Sequence, residues 1–555
     1  MASILSIFVS FFLLFFSTLA ARPPTGAPPA APPAAPTGAP TGVPSPQIQQ
    51  ACKATRYPDT CISTLSETIE LPPNPEPGQI IQAAIKVSQV GFQTSLSKLQ
   101  DLLQTSGNVN LTNNIRTSLE NIRHTEYRIN STAVALQRSK IKTARAWLTA
   151  ALSSQSGRMT GLNKYIKDGP MVNETIQAFN SSAMIISNAL SMIRAYDMFG
   201  NQTGSWDAPK TERDGVWESS SMPGSGTWNV QFPQGLVPSV TVCKVGKCDF
   251  STVQEAVDKA PNNSMTVEEA VDMGPKGKRF VISIKEGVYN ENVKVAFEKK
   301  NVVFLGDGMG KTVITGSLNV NMPNISTTRN TPTLGVYGDG FMASNLTIEN
   351  TANVDVQAVA LLIDSDLAVI ENCEILGHQD TLYASGLRQY FKSCRVEGTV
   401  DFIFGNAAAF FQDCTILIRP RIQTPEKGEQ NTVTAHSKAD PAQVTGYVFQ
   451  NCVINGTDKY MEFYRSNPKV HENFLGRPWR EFSRTVFISC FMENIVSPEG
   501  WTEWEGDEGL QTLYYGEFNS TGPGANPAAR VPWSNKIPPD HVSAYSLQNF
   551  IQGSL

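Results

Sequence analysis

The sequence predicts two folded regions: an all-α helical bundle over residues 47–200, then an all-β right-handed parallel β-helix over residues 239–553. Three observations carry this. Apolar residues recur at helical spacing through the first region. Short β-branched runs cut by Gly, Asn and Asp fill the second, and a polar-Cys step returns along it at regular intervals. At 555 residues the chain is also too long for a single core.

Taken in chain order, the first element is an apolar run from Ile4 to Leu19 ending in Ala20-Ala21. Its length and small terminal residues suit a secretory signal over residues 1–21, with an uncleaved anchor as the alternative because no Lys or Arg precedes it. No later stretch approaches the roughly 20 apolar residues of a membrane helix, so the mature chain is expected to be secreted and free of the membrane. Ten Asn-X-Ser/Thr sequons between Asn110 and Asn519, Asn324 among them, fit a glycosylating, extracellular destination. Residues 22–46 are dominated by Pro, Ala, Gly and Thr and read as an extended tether.

In the helical region Ile85, Phe92, Leu96, Leu99 and Leu103 share one helix face, and Ile176, Phe179, Ala183, Ile186, Leu190 and Ile193 share another. Such stripes can be buried only against each other, which gives a bundle. Residues 201–238 lack periodicity and read as a linker.

Beyond it, Asn372-Cys373, Ser393-Cys394 and Asp413-Cys414 are spaced 21 and 20 residues apart, and Asn451-Cys452 and Ser489-Cys490 follow at steps of 38 and 38. Asn345-Leu346-Thr347-Ile348 is a weaker copy. A period near 20 built from short strands is the signature of stacked coils, about 4.8 Å apart. A leucine-rich-repeat horseshoe would need a Leu-X-X-Leu-X-Leu pattern, which is absent.

That register makes a statement about chemistry. Asp380 lies seven residues after Cys373, and Asp401 seven after Cys394. The two aspartates are therefore expected to stack on adjacent coils, with carboxylates on the order of 5 Å apart. Anions that close couple, so one pKa rises, leaving one ionised and one protonated carboxyl: a nucleophile beside a general acid. A calcium site or a solvated acidic ladder are the alternatives. By the same register Cys373 and Cys394 fall within reach of a disulfide, or form two thiols of an internal ladder. Gln357 and Gln379 could donate to a developing oxyanion, Arg477 could hold a carboxylate in a planar fork, and Trp479 offers a face for a sugar ring.

Other chemistries find no support. Bulk charge is near neutral, with 45 basic and 50 acidic residues, which gives no electrostatic footprint for nucleic acid. There is no Gly-X-Ser-X-Gly elbow, no Cys-X-X-Cys, and the five histidines show no metal-ligand spacing. The nine cysteines are an odd number; Cys52/Cys61 and Cys243/Cys248 are close in sequence.

Gly287-Val-Tyr-Asn-Glu291, Gln357-Ala-Val-Ala-Leu361, Gln379-Asp-Thr-Leu-Tyr383, Asp401-Phe-Ile-Phe-Gly405 and Leu475-Gly-Arg-Pro-Trp479 resemble, in order, the five signature motifs of plant pectin methylesterases. The resemblance covers residues 239–553, and the helical region resembles the inhibitor-like pro-region that many of these enzymes carry. It implies a cofactor-free carboxylic ester hydrolase of the plant cell wall acting on methyl-esterified homogalacturonan. Asp401 would be the nucleophile, Asp380 the acid and base, and Gln379 and Gln357 the oxyanion and substrate contacts. Arg477 would position the nucleophile and contact substrate, with Trp479 and Thr328 also touching it. The helical region would contact the catalytic region, in the same chain or in trans. Cys52 and Cys61 keep the pro-region's pair spacing, whereas Leu102 and Arg158 stand near its second pair. Val356 replaces the usual His before Gln357, the segment Met461–Phe474 is longer than usual, and the linker lacks the dibasic cleavage signal. A polygalacturonan glycosidase or lyase, or a purely regulatory protein, are the competing functions.

Overall fold

The computed structural model describes residues 45–555 apart from 69, 121, 219–226, 263–278, 324, 326 and 423. The expected signal over 1–21, nearly all of the tether and the Asn324 sequon lie outside the described residues.

Seven helices make up the described part of the first region: α1 (Pro46–Lys53), α2 (Pro58–Thr68), α3 (Pro77–Thr105), α4 (Val109–Glu120), α5 (Ile122–Gln137), α6 (Ile141–Asn163) and α7 (Pro170–Phe199). Local chemistry sets their ends. Ser45 Oγ accepts the Ile48 N–H ahead of Pro46, and α7 stops at Gly200, whose φ of 56° a side chain would disfavour. Ile85, Phe92 and Leu99 of α3 and Phe179, Ile186, Leu190 and Ile193 of α7 are buried, while Leu96, Leu103 and Ile176 lie half-buried at the edges of their stripes. The Cys52–Cys61 disulfide ties α1 to α2. Leu102 and Arg158 are both buried, and Arg158 donates to Thr125 Oγ1 at 3.0 Å and Gln155 Oε1 at 3.2 Å. No helix of the described residues is long and apolar enough to cross a membrane.

The second region is a parallel β-helix. Three long sheets of 8, 7 and 11 strands run along it. Every step between sequence-adjacent coils is a parallel pairing, as with Thr347 on Glu374, Glu374 on Arg395, and Arg395 on Thr415. One corner explains the repeat seen in the sequence. Asn345, Asn372, Ser393, Asp413, Asn451 and Ser489 all adopt φ between 51° and 59°, a left-handed turn that short polar residues tolerate best. The residue after each corner turns inward. This stacks Cys373, Cys394, Cys414, Cys452 and Cys490 in the core beside an aromatic column, Phe391–Phe411–Phe449–Phe487, with ring centroids 4.6, 4.5 and 4.5 Å apart.

All five of those cysteines are free, so the cross-link considered between Cys373 and Cys394 is not formed. The register prediction places them side by side, but in-register neighbours hold parallel Cα–Cβ bonds about 4.8 Å apart, wider than the ~3.8 Å a disulfide requires. Each thiol instead donates to a backbone carbonyl, Cys394 Sγ to Ile370 O at 3.3 Å. Cys243 and Cys248 do form a disulfide.

The long segment Met461–Phe474 completes a short helix, Asp458–Ser466, capped by Thr457 and burying Tyr460 and Met461 against the core, then turns at Pro468–Val470 into the strand His471–Pro478. The linker is docked rather than free. Trp217 stacks on His541 at 4.6 Å, and Glu212 pairs with Arg484 at 2.6 Å. The strand Trp228–Asn229 pairs with Gly553–Ser554 at the chain end. From residue 44 onward the chain forms one compact unit. The bundle meets the β-helix through a fork of Arg128 on Asp339 at 2.6 and 2.9 Å, the Trp147 indole on Asp366 at 2.8 Å, and Ser187 on Asp440 at 2.6 Å.

Candidate active site

The seven-stranded sheet carries the site. Its strands Leu361–Ile363, Leu382–Ala384, Ile403–Gly405, Glu429–His436 and His471–Pro478 lie side by side in that order. Leu382 pairs with Ile403, so Asp380 and Asp401, each two residues before its strand, occupy the same place on neighbouring coils. The Asp380 N–H donates to Val400 O at 3.1 Å, which fixes that step. Both aspartates have positive φ, 67° and 50°, a strained backbone that Asp accepts better than most residues. They are 1% and 2% exposed.

Their surroundings differ. Register across the sheet runs Phe404–Ala435–Arg477, which brings Arg477 two coils along from Asp401. Arg477 grips Asp401 with both prongs, Nε to Oδ1 at 2.7 Å and Nη2 to Oδ2 at 2.5 Å. Neither oxygen of Asp380 has a hydrogen-bond partner among the protein groups. Burial, and then the charge of Asp401, push the Asp380 carboxyl well above the ordinary carboxylate range. Burial leaves Asp401 raised as well, but the Arg477 hydrogen bonds and charge offset part of it, and the nearby Trp479 N–H favours the anion without reaching hydrogen-bond geometry. The shared proton therefore resides on Asp380 and the charge on Asp401.

Beside the pair lies a cavity of about 800 Å³, lined by Asp380, Gln357, Thr328 and Trp479; Asp401 and Arg477 sit behind its wall and do not line it. Gln379 is half-buried beside Asp380, and its carbonyl accepts the Ala358 N–H at 3.2 Å; it does not line the cavity. His378 is held neutral, its pKa lowered to about 4 by burial and then by Arg419, which makes it a poor base. The cavity floor is an aromatic platform in which Tyr383, Phe404 and Trp504, not singled out from the sequence, join the expected Trp479. Tyr383 stacks on Phe404 at 4.4 Å, Phe404 tilts against Trp479 at 5.4 Å, and Trp504 covers the Arg477 guanidinium at 4.3 Å. Tyr383 and Phe404 are 21 residues apart and pair directly, so the spacing that aligned the aspartates could have found them. Nothing in the repeat points to Trp504.

A buried, polarised carboxyl pair with an arginine fork can supply a nucleophile and an acid to a carbonyl carbon. Comparison with known proteins is decisive here: the pectinesterase family model matches residues 239–554, more than half of the chain. The chain belongs to the pectinesterase family. A model of the plant invertase/pectin methylesterase inhibitor family matches residues 46–192, over the helices. The pectinesterase is 52% identical over 515 residues to probable pectinesterase/pectinesterase inhibitor 64 of Arabidopsis thaliana, covering 91% of this chain and 83% of that one. It is 33% identical to pectinesterase 3 of Citrus sinensis, over 91% and 86% of the two chains. Among solved structures, pectin methylesterase from carrot aligns with a TM-score of 0.52 and 42% identity, covering 58% of this chain and 95% of that one.

Proposed function

We propose that this pectinesterase hydrolyses methyl esters of homogalacturonan, releasing methanol and free carboxylates, in the plant cell wall after secretion. The observation that supports it most is the asymmetry of the dyad: one carboxylate held ionised by Arg477, one carboxyl kept protonated without a partner. In the first half-reaction an Asp401 oxygen attacks the ester carbonyl carbon, and the side-chain amides of Gln357 and Gln379 donate to the oxyanion that forms. The C–O bond to the methoxy group breaks as Asp380 gives its proton to that oxygen, so methanol leaves and Asp401 is acylated. Asp380, now anionic, takes a proton from water. The hydroxide attacks the acyl carbon and expels Asp401 as its anion, and the galacturonic acid group formed loses its proton to solvent, leaving the carboxylate. Trp479, Thr328 and the Tyr383–Phe404 platform would hold the sugar rings.

On this reading residues 1–21 direct export, 22–46 tether, 47–200 form the inhibitor-like bundle and 239–553 the catalytic β-helix. The bundle contacts its own catalytic region and limits access of the polymer. Support comes from the Arg128–Asp339 and Trp147–Asp366 contacts, which flank the groove. The test uses full-length chain undocked by Arg128→Ala with Trp147→Ala and supplied with esterified pectin. Methanol should appear with no new reducing ends. Reducing ends formed in step with, or instead of, methanol would assign backbone cleavage and reject the esterase.

A further inference from the structure

The bundle roofs the site without touching its chemistry. Both Asp380 oxygens are free of hydrogen bonds, the Arg477 fork on Asp401 is fully formed, and about 800 Å³ separates the catalytic floor from the helices above. The roof is thin because α6 lays small side chains over the cavity: Ser153, Ser156, Gly157, Thr160 and Gly161 all line it. A Cβ built on Gly157 would meet nothing within 4 Å.

The bundle's polar contacts sit at the margins instead. On one side Arg128 binds Asp339 and His124 stacks on Phe297 at 4.3 Å. On the other, Ser153 accepts from Asn406 at 2.7 Å and Thr160 accepts from Arg480 at 2.7 Å. Between these seams the cavity reaches the exposed residues Lys164, Trp504 and Glu505. The space is roofed between the two seams and opens to solvent at these residues. With the bundle seated on both margins, helices occupy the space above the floor where a long chain would lie, whereas a segment of a few sugars has room, since pockets of this size enclose drug-sized ligands almost entirely.

The geometry points to a second, size-limited activity of the intact chain: with its bundle docked it hydrolyses methyl esters of short oligogalacturonides, while the polymer is excluded. This rests on the esterase reading above. The bundle acts as a length filter, and removing it changes which substrates are accepted rather than switching chemistry on.

The experiment compares three full-length proteins on methyl-esterified trigalacturonate and on esterified pectin at equal ester concentration. These are the unmodified chain, the chain with Arg128→Ala and Trp147→Ala, and the chain with Gly157→Trp, which fills the chamber from the roof. The unmodified chain should release methanol from the trimer within about threefold of the undocked variant, yet from pectin at least tenfold more slowly. Gly157→Trp should lose trimer activity at least tenfold with its melting temperature kept. If the unmodified chain leaves the trimer untouched while the undocked variant hydrolyses both, the chamber is closed and the length filter is wrong. Equal rates on pectin from unmodified and undocked chains would also overturn it. If no protein releases methanol from either substrate, the esterase reading itself falls, and the filter with it.

Discussion

Asp380 and Asp401 are the same residue type at the same corner of successive coils, and one neighbour separates their roles. Arg477 bonds only Asp401, so the proton the pair shares sits on Asp380. That arrangement has a consequence for folding. The Asp380 carboxyl titrates well above its ordinary value in the folded chain, mainly from burial and then from Asp401. Above about pH 4 the unfolded chain has released this proton and the folded chain has not, so stability contributed at this position falls as pH rises towards the folded value. Asp380→Asn removes the titration. It should melt at a higher temperature than the parent near neutral pH, with the gap closing as the pH drops towards about 4. A constant gap, or a lower melting temperature at neutral pH, would mean Asp380 is ionised in the folded chain.

At the scale of the elements, much was legible because a coil repeats. The 21-residue step placed Asp380 beside Asp401 and Cys373 beside Cys394, and the same step pairs Tyr383 with Phe404. What the step could not decide was bonding. Adjacency along a parallel ladder looks like disulfide geometry in one dimension, yet the parallel Cβ directions favour a column of thiols. Counting thiols checks this: the denatured, unreduced protein should take up five alkyl groups by mass spectrometry, whereas three would restore the Cys373–Cys394 bond. The positive-φ corners were also legible, as Asn, Ser or Asp before each inward residue, although the reason for those residue types is conformational. Trp504 was not legible. It reaches Arg477 from a loop outside the repeat, and no periodicity marks it.

Across the whole molecule the contacts that matter join segments more than a hundred residues apart, and single-sequence patterns carry none of them. Arg128 on Asp339 and Trp147 on Asp366 are examples; read alone, Arg128 is a polar and Trp147 an apolar residue of an amphipathic helix. The linker makes shorter-range contacts that such patterns miss equally. It reads as structureless, yet Glu218 supplies a counter-charge to Arg145 at 2.8 Å and Arg194 at 2.8 Å, and Arg145 is fully buried. Removing Glu218 takes the carboxylate from Arg194, while Arg145 keeps Asp197 at 2.7 Å, so the cost lies at the lower end of the about 3–5 kcal/mol of a broken buried pair. Glu218→Gln should therefore lower the unfolding free energy read from the helical signal by that order, seen as a lower denaturant midpoint. An unchanged midpoint would reduce the linker contact to a surface pairing.

The account turns on Asp401 as the attacking group, and one substitution addresses it most directly. In the undocked full-length background, Asp401→Asn should cut methanol release from esterified pectin by at least about a thousandfold while leaving the folded content unchanged by circular dichroism. A folded Asp401→Asn protein that keeps a tenth or more of the parent rate would contradict it.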